Sequence, residues 1–408
     1  MDLPVAVIGG GVSGLATAWQ LTRLGRRCHV FDTGRRGVGG RASSRRLLGC
    51  PVDHACQLFS RSQPLAETLF SAMEADRAIG KVPEVGTIGA KGFVPSSSEF
   101  WAGNATDGMA SIPNWLAKNC GAKITTDCWV ASIWWDAAGW HLYDKRGREI
   151  PGPFGYVVMA HNGKCADMLI KTANARTMGH AALRCRFVPQ ATVPGSDRLE
   201  LSSLFVVVIA TKGEVEYTAA FVDADPVLQL ASCNTKKYGV KVADGRSIWT
   251  LVSTPTFGSA NKCPQEAMPE EVKSKVSSAM IRAFQERTGS QGSCEVLHVQ
   301  LWGAAVPLNS MPVPCIHDAE NALGVCGDWL VEGGPGLASA AASGVAMADA
   351  IAGKGAPKAL DRTWFAAWSA AGFTVAPTGS EESGVPTSAA GAGAPGRSAG
   401  DGGRKRWE

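Results

Sequence analysis

The sequence predicts an α/β protein in which a parallel, nucleotide-binding layer is interrupted by an α+β unit with a mostly antiparallel sheet. Three observations carry that expectation. An apolar run at residues 4–8 leads straight into Gly9-Gly-Gly-Val-Ser-Gly14, an apolar-periodic helix and a second apolar run. Strand, turn, helix and strand in that order form a βαβ unit. Near the other end, Gly324-Val-Cys-Gly-Asp328 is again a strand, followed by a Gly- and Pro-rich turn and a helix. Between them, from about residue 165 to 315, alternating strands surround one long helix, which is the pattern of an α+β layer.

The elements follow in order. Residues 4–8 form a buried strand, 15–24 a helix that Gly25 ends, and Cys28-His-Val-Phe-Asp32 the second strand. Residues 64–78 read as a helix, and a Gly-, Pro- and Ser-rich stretch follows to about residue 98. A helix is expected within 104–119, strands at 129–135 and 140–143 around the turn Asp136-Ala-Ala-Gly139, and a buried strand at 156–160. The middle of the chain offers strands at 201–210, 217–221 and 248–253 and a helix at 270–287. A short strand at 322–326 precedes a small-residue helix at 338–351 and a final helix at 360–370. Residues 374–408 hold almost no large apolar side chains and cannot bury enough surface to offset their ordering entropy, so they read as a disordered tail.

Composition narrows the function. The 408 residues are 45% hydrophobic and 19% charged, the mix of a globular α/β protein with room for more than one core. A formal net charge of +4 is too mild to argue for nucleic acid, which needs basic residues concentrated on one face. The longest apolar run, 204–210, falls far short of the roughly 20 residues that span a bilayer, and no basic-and-apolar leader precedes the first strand. The 12 cysteines are scattered without any C-x-x-C pair, so neither a disulfide scaffold nor a metal site is expected. Reduced thiols in an intracellular protein account for them.

The glycines at the start each have a task. Gly9 permits the tight turn, Gly11 lets backbone approach a pyrophosphate, and Gly14 lets helix pack on strand. The helix N-terminus around Val12 and Ser13 offers unpaired N–H groups to the phosphates. Asp32, ending the second strand, is placed to accept from both ribose hydroxyls of an adenosine. FAD, rather than NAD, is argued by Arg35-Arg-Gly-Val-Gly-Gly-Arg41, where the glycine pair ending at Gly40 delivers the Arg41 guanidinium back to the fold to neutralise a pyrophosphate. Arg45 and Arg46 read equally well as a solvated basic loop. At the far end, Gly327 and Asp328 close a strand, and Asp328 is placed for the ribityl hydroxyls. The helix start at Gly336 and Leu337 then faces the flavin pyrimidine carbonyl. A plain strand-to-helix connection is the alternative there.

These residues resemble the flavin-dependent amine oxidase superfamily: Gly9 to Gly14, Asp32, Gly39-Gly-Arg41 and Gly327-Asp-Trp329. The likeness is nearer to renalase-like proteins through Gly40-Arg-Ala-Ser-Ser-Arg-Arg46, Val52-Asp-His-Ala-Cys-Gln57 and Gly108-Met109. Ala160-His-Asn-Gly-Lys-Cys165, Asn234-Thr-Lys-Lys237, Gln300-Leu-Trp-Gly-Ala-Ala305 and Cys326-Gly-Asp-Trp-Leu330 resemble its plant and algal plastid branch. The resemblance covers about residues 4–353. It implies non-covalent FAD in a Rossmann-like domain of the two-dinucleotide-fold type, and an inserted α+β substrate domain roofing the flavin. It also implies Val130 holding the adenine through its backbone, residues 53–57 beside the flavin ring, and a chloroplast location. The expected division is 1–62, 101–164 and 316–370 for the FAD-binding domain and 63–100 and 165–315 for the substrate domain.

The sequence departs from renalases where Gln300-Leu-Trp-Gly-Ala replaces a His-Arg-Trp-Arg-Tyr segment, keeping only Trp302, and where Ala55 and Cys56 replace Gly-Ala. The lost arginines would anchor an anionic nucleotide. Hydride transfer to a flavin needs little acid–base machinery from the protein, so the catalytic candidates are few. Trp302 walls the substrate cavity or is a core tryptophan; Gln57 lies on the flavin-side segment; His54 tunes the flavin or serves as a hydrogen-bonded structural histidine. For His161 and Cys56 a structural place is favoured. The expected function is oxidation of a small organic donor, a nicotinamide dinucleotide among the candidates, by hydride transfer to FAD. Oxygen or another acceptor would reoxidise the cofactor. The alternatives are a non-redox flavoenzyme of isomerase or mutase type, and a flavin-binding or assembly protein without turnover.

Overall fold

A computed structural model describes residues 3–174, 201–213, 215–308, 313–331 and 334–355. The helix expected at 360–370 and the tail expected at 374–408 lie outside the described residues.

A six-stranded, mostly parallel sheet organises the first layer. Its order is Ile316–Asp318, Leu323–Val325, Tyr156–Met159, Val5–Ile8, Cys28–Phe31 and Lys123–Thr125. All neighbours are parallel except the first pair. Both faces of the central strands are covered, which is why Val5–Ile8, Cys28–Phe31 and Tyr156–Met159 are buried at every position and read as unbroken apolar runs. Val5, Val7, Val30 and Val158 pack against the helices Val12–Arg23, Ser111–Asn119 and Leu337–Ile351. Ala6, Ile8, Phe31, Val157 and Met159 pack against an antiparallel meander, Val130–Asp136, Gly139–Asp144 and Glu149–Phe154.

The second large sheet is seven-stranded, in the order Cys294–Trp302, Leu204–Thr211, Ser247–Ser253, Leu228–Cys233, Ala219–Val222, Val85–Gly89 and Gly92–Pro95. It is antiparallel except where Ala219–Val222 runs parallel to Val85–Gly89. Alternate residues of Leu204–Thr211 serve two cores. Phe205, Val207 and Ile209 meet Val276, Met280 and Phe284 of the helix Glu270–Thr288, while Leu204, Val206 and Val208 meet Cys50 and Val52. Those last two belong to a hairpin, Ser44–Leu47 with Cys50–Asp53, that enters from the first layer.

Several expectations change. The first helix begins at Val12, inside the glycine motif, rather than at residue 15. The helix expected within 104–119 is confined to Ser111–Asn119, because Asn104 and Gly108 form a turn before it. The Gly-, Pro- and Ser-rich stretch to about residue 98, for which no strand was expected, holds the strands Ile79–Val82, Val85–Gly89 and Gly92–Pro95. The strands Glu149–Phe154, Leu228–Cys233 and Cys294–Trp302 were not read from the sequence at all.

Candidate functional site

The helices Val12–Arg23 and Leu337–Ile351 both start at the carboxyl edge of the parallel sheet, where the strands Val5–Ile8 and Leu323–Val325 end. Neither start has a side-chain cap or an acidic residue in its first turn. Their first N–H groups are thus free of side-chain partners, and the positive helix ends favour an anion. The two helices are held together by a close approach: a Cβ at Gly344 would lie 2.2 Å from the Ser13 carbonyl oxygen.

The glycines divide the work at the first helix. A Cβ on Gly14 would sit 2.0 Å from the Gly9 carbonyl oxygen, so this position is reserved for helix–strand packing. A Cβ on Gly11 would meet nothing within 4 Å, which leaves open space at the position expected to face a pyrophosphate. Ser13 Oγ donates to the Ala160 carbonyl at 3.1 Å and so ties the helix start to the neighbouring strand. Asp32 accepts the Gly10 N–H at 2.7 Å on Oδ2 and the Gly34 N–H at 2.8 Å on Oδ1. Its carboxylate is thereby fixed against the turn, each oxygen keeping a further lone pair. Cys128 N–H donates to the Asp32 carbonyl at 2.9 Å, which brings the buried Val130, two residues on, beside the end of that strand.

Arg41 and Asp328, 287 positions apart, form a bidentate ion pair, Nη1 to Oδ2 at 2.8 Å and Nη2 to Oδ1 at 2.7 Å. Arg41 Nη1 also donates to the Ala305 carbonyl at 2.7 Å. Burial opposes the Arg41 charge, but Asp328 outweighs it and holds the guanidinium above its ordinary value. Arg41 and Asp328, assigned from sequence to separate parts of a cofactor, thus meet one another, and the fork of Arg41 that would face a pyrophosphate is turned to Asp328. Gly327 N–H donates to Ser343 Oγ at 2.9 Å, and Gly336 caps the helix that Leu337 begins.

The segment after the hairpin lies against the seven-stranded sheet. Trp302 Nε1–H donates to the His54 carbonyl at 2.8 Å, and the two rings stack at 5.9 Å between centroids. His298 meets the His54 ring edge-on at 6.3 Å. Burial first, then Arg45 and His298, lowers the His54 pKa to about 4, so its ring is neutral near pH 7. Gln57 is enclosed, donating through Nε2 to the carbonyls of Asp53 at 2.9 Å and Ala55 at 3.2 Å. Its amide is occupied structurally rather than presented to a cleft. Burial pushes the Cys56 thiol up to about 12, which leaves it protonated and unreactive at neutral pH. His161 stands beside Gly9 with its pKa lowered to about 4 by burial.

One cluster escaped the sequence reading. Lys237 Nζ lies 2.7 Å from Asp53 Oδ2, with both side chains fully enclosed. Asp53 also accepts from Ser44 Oγ at 2.6 Å, Met109 N–H at 2.9 Å and Tyr238 Oη at 2.5 Å. Lys237 contacts Gln57 O at 3.2 Å and Ser232 Oγ at 3.3 Å. Thr250 Oγ1 donates to the Asp53 carbonyl at 2.7 Å, completing the link between the hairpin and the second sheet. The motifs holding Asp53 and Lys237 were both visible, but nothing in either one signals its partner. Among the described residues no group of three or more His, Cys, Asp or Glu could hold a metal, and no helix is long and apolar enough to cross a membrane.

Residues 7–73 match the NAD(P)-binding Rossmann-like domain family. A stretch of 49 residues is 49% identical to "Putative flavin-containing monoamine oxidase AofH" of Mycobacterium tuberculosis. That match covers 12% of this chain and 11% of the relative, so the chain aligns with about a tenth of the curated relative's length. Cyclohexylamine oxidase from Brevibacterium oxydans superposes with a TM-score of 0.59 at 12% identity, covering 87% of this chain and 99% of that one. Reduced UDP-galactopyranose mutase superposes with a TM-score of 0.61 at 12% identity, covering 88% and 95%. An oxidoreductase from Methanosarcina mazei gives 0.59 at 16% identity, covering 84% and 99%. At such identities the likeness establishes architecture alone, and the chain has the α/β fold, Rossmann-like with mixed sheets, that flavin oxidoreductases share.

Proposed function

We propose that the protein is an FAD-dependent oxidoreductase that oxidises a small organic donor by hydride transfer, its cofactor being reoxidised by oxygen or another acceptor. The observation that carries the reading is the pair of uncapped helix starts, at Val12 and Leu337, on one edge of one parallel sheet, with open space over Gly11. A dinucleotide with charge at its middle and polar groups at both ends suits two such starts.

Gly9, Gly11, Val12, Ser13 and Gly14 would hold the pyrophosphate, Asp32 the adenosine ribose, and Val130 the adenine. Gly40 and Arg41, with Gly327, Asp328, Gly336 and Leu337, would hold the ribityl and ring portion. Because Arg41 is paired with Asp328, its part is to hold that carboxylate and the Ala305 backbone in place. The bound flavin supplies hydride acceptance; the chain orients the donor and excludes water. Trp302 and His54, stacked on one another, form a flat wall for that purpose. In this reading the flavin part comprises 1–62, 101–164 and 316–370, and the substrate part 63–100 and 165–315, a division that follows the two large sheets.

A second reading, a flavoenzyme catalysing an isomerisation, draws on the same fold as the mutase and differs in giving turnover without net electron transfer. The test is the visible absorption spectrum of the purified protein, repeated anaerobically with NADH, NADPH and their isomeric forms. A flavin spectrum bleached by one of them supports the oxidoreductase and names the donor. A colourless protein that cannot be reconstituted with FAD overturns it.

A further inference from the structure

The strand Ser44–Leu47 alternates its side chains between two surroundings. Ser44 turns to Asp53 and Arg46 to the carbonyls of Gly49 and Thr106. Arg45 stands opposite Val52 on the other face, which packs on Leu204, Ala305 and Trp302 of the second sheet. There Arg45 has neither an ion pair nor a hydrogen bond among the described residues, and its Nε is buried without a partner. Its electrostatic neighbours are Arg36, His54 and His298, none of them an acid. Asp53, on the paired strand of the hairpin, is taken up by Lys237, Tyr238 and Ser44. His54, only 6% exposed, leaves Nδ1 with no partner as well. Two buried nitrogens without partners, Arg45 Nε and His54 Nδ1, thus lie in one cluster beside the Trp302 ring. Leaving such groups unsatisfied costs free energy that a ligand of opposite charge recovers.

We infer that this cluster binds an oxyanion carried by the substrate, a carboxylate or a phosphate. Arg45 supplies the charge and a planar fork, His54 in its Nδ1–H tautomer supplies a hydrogen bond, and Trp302 forms the wall against which the rest of the molecule lies. The inference rests on the flavoenzyme reading and narrows its donor to an organic anion. The arginines missing around Trp302 are then replaced by an arginine from a different part of the chain.

The test uses the FAD-loaded protein, titrated with sodium benzoate and separately with inorganic phosphate. It is followed by calorimetry and by the flavin difference spectrum, for the wild type, Arg45→Gln and Arg45→Lys. At least one anion is expected to bind, at least tenfold more weakly in Arg45→Gln, with partial recovery in Arg45→Lys and an FAD Kd that does not change. Benzoate binding alone marks a carboxylate substrate, and phosphate binding alone a phosphorylated one. Failure of both anions to bind the wild type overturns the inference, as does unchanged anion affinity in Arg45→Gln. A loss of FAD affinity in that variant also overturns it, since the charge would then serve the cofactor. If the wild type takes up no FAD, the flavoenzyme reading fails by itself, and the same titration of the apoprotein still decides whether the Arg45 cluster binds an anion.

Discussion

The Asp53–Lys237 pair shows what one buried charge demands of its neighbours. Neither side chain touches solvent, and Asp53 satisfies its oxygens with Ser44, Met109, Tyr238 and Lys237. Removing one partner strands the other charge in a low-dielectric interior, a loss of about 3–5 kcal/mol. Lys237→Met should therefore cost that much in urea unfolding, and the double variant Asp53→Asn with Lys237→Met distinctly less than the sum of its singles. Strict additivity would mean the two charges do not interact. His54 makes a second residue-scale prediction. Its folded pKa of about 4 lies below the ordinary histidine value of 6.5, so between those limits the unfolded chain binds more protons than the folded one. Stability should thus fall as pH drops from about 6.5 toward 4, and His54→Gln should flatten that slope. An equal slope in the variant would assign the acid sensitivity to other groups. None of this was legible in the sequence, because the pairings join residues far apart and depend on how two sheets meet.

Helices and central strands were legible where a single local rule decides them. The helix Glu270–Thr288 shows apolar residues at helical spacing, and Val5–Ile8 is apolar throughout because both of its faces are covered. The strands that went unread break those rules. Glu149–Phe154 carries Pro151 and Pro153, and Cys294–Trp302 is an edge strand, half exposed and bearing Glu295 and His298. The glycine motif was read correctly as a strand-to-helix turn, yet only the structure separates its members. Gly14→Ala must push against the Gly9 carbonyl and should lower both the apoprotein melting temperature and FAD affinity. Gly11→Ala, at φ −75 with open space around it, should leave the melting temperature unchanged and weaken FAD binding at least tenfold. Equal melting losses in the two variants would refute that division.

At the scale of the whole molecule, the chain passes from the first sheet to the second and back, so the residues expected to hold FAD come from both ends: 9–14, 32, 40–41 and 130, then 327–328 and 336–337. The crossing is stitched by the hairpin core of Cys50 and Val52 under Leu204 and Val206, by the Asp53–Lys237 pair, and by Arg41 reaching both Asp328 and Ala305. A ligand that binds only the folded state stabilises it by RT ln(1 + [L]/Kd), about 2.7 kcal/mol at a hundredfold excess over Kd. Because the buried Asp53–Lys237 pair and the hairpin core make the second sheet depend on the first, that stabilisation should reach both. Thermal unfolding followed by far-ultraviolet circular dichroism should show one transition that moves upward as a whole when FAD is added. Two transitions, of which only one responds to FAD, would mean that the sheets unfold independently and that the buried pair aligns them without coupling their stabilities.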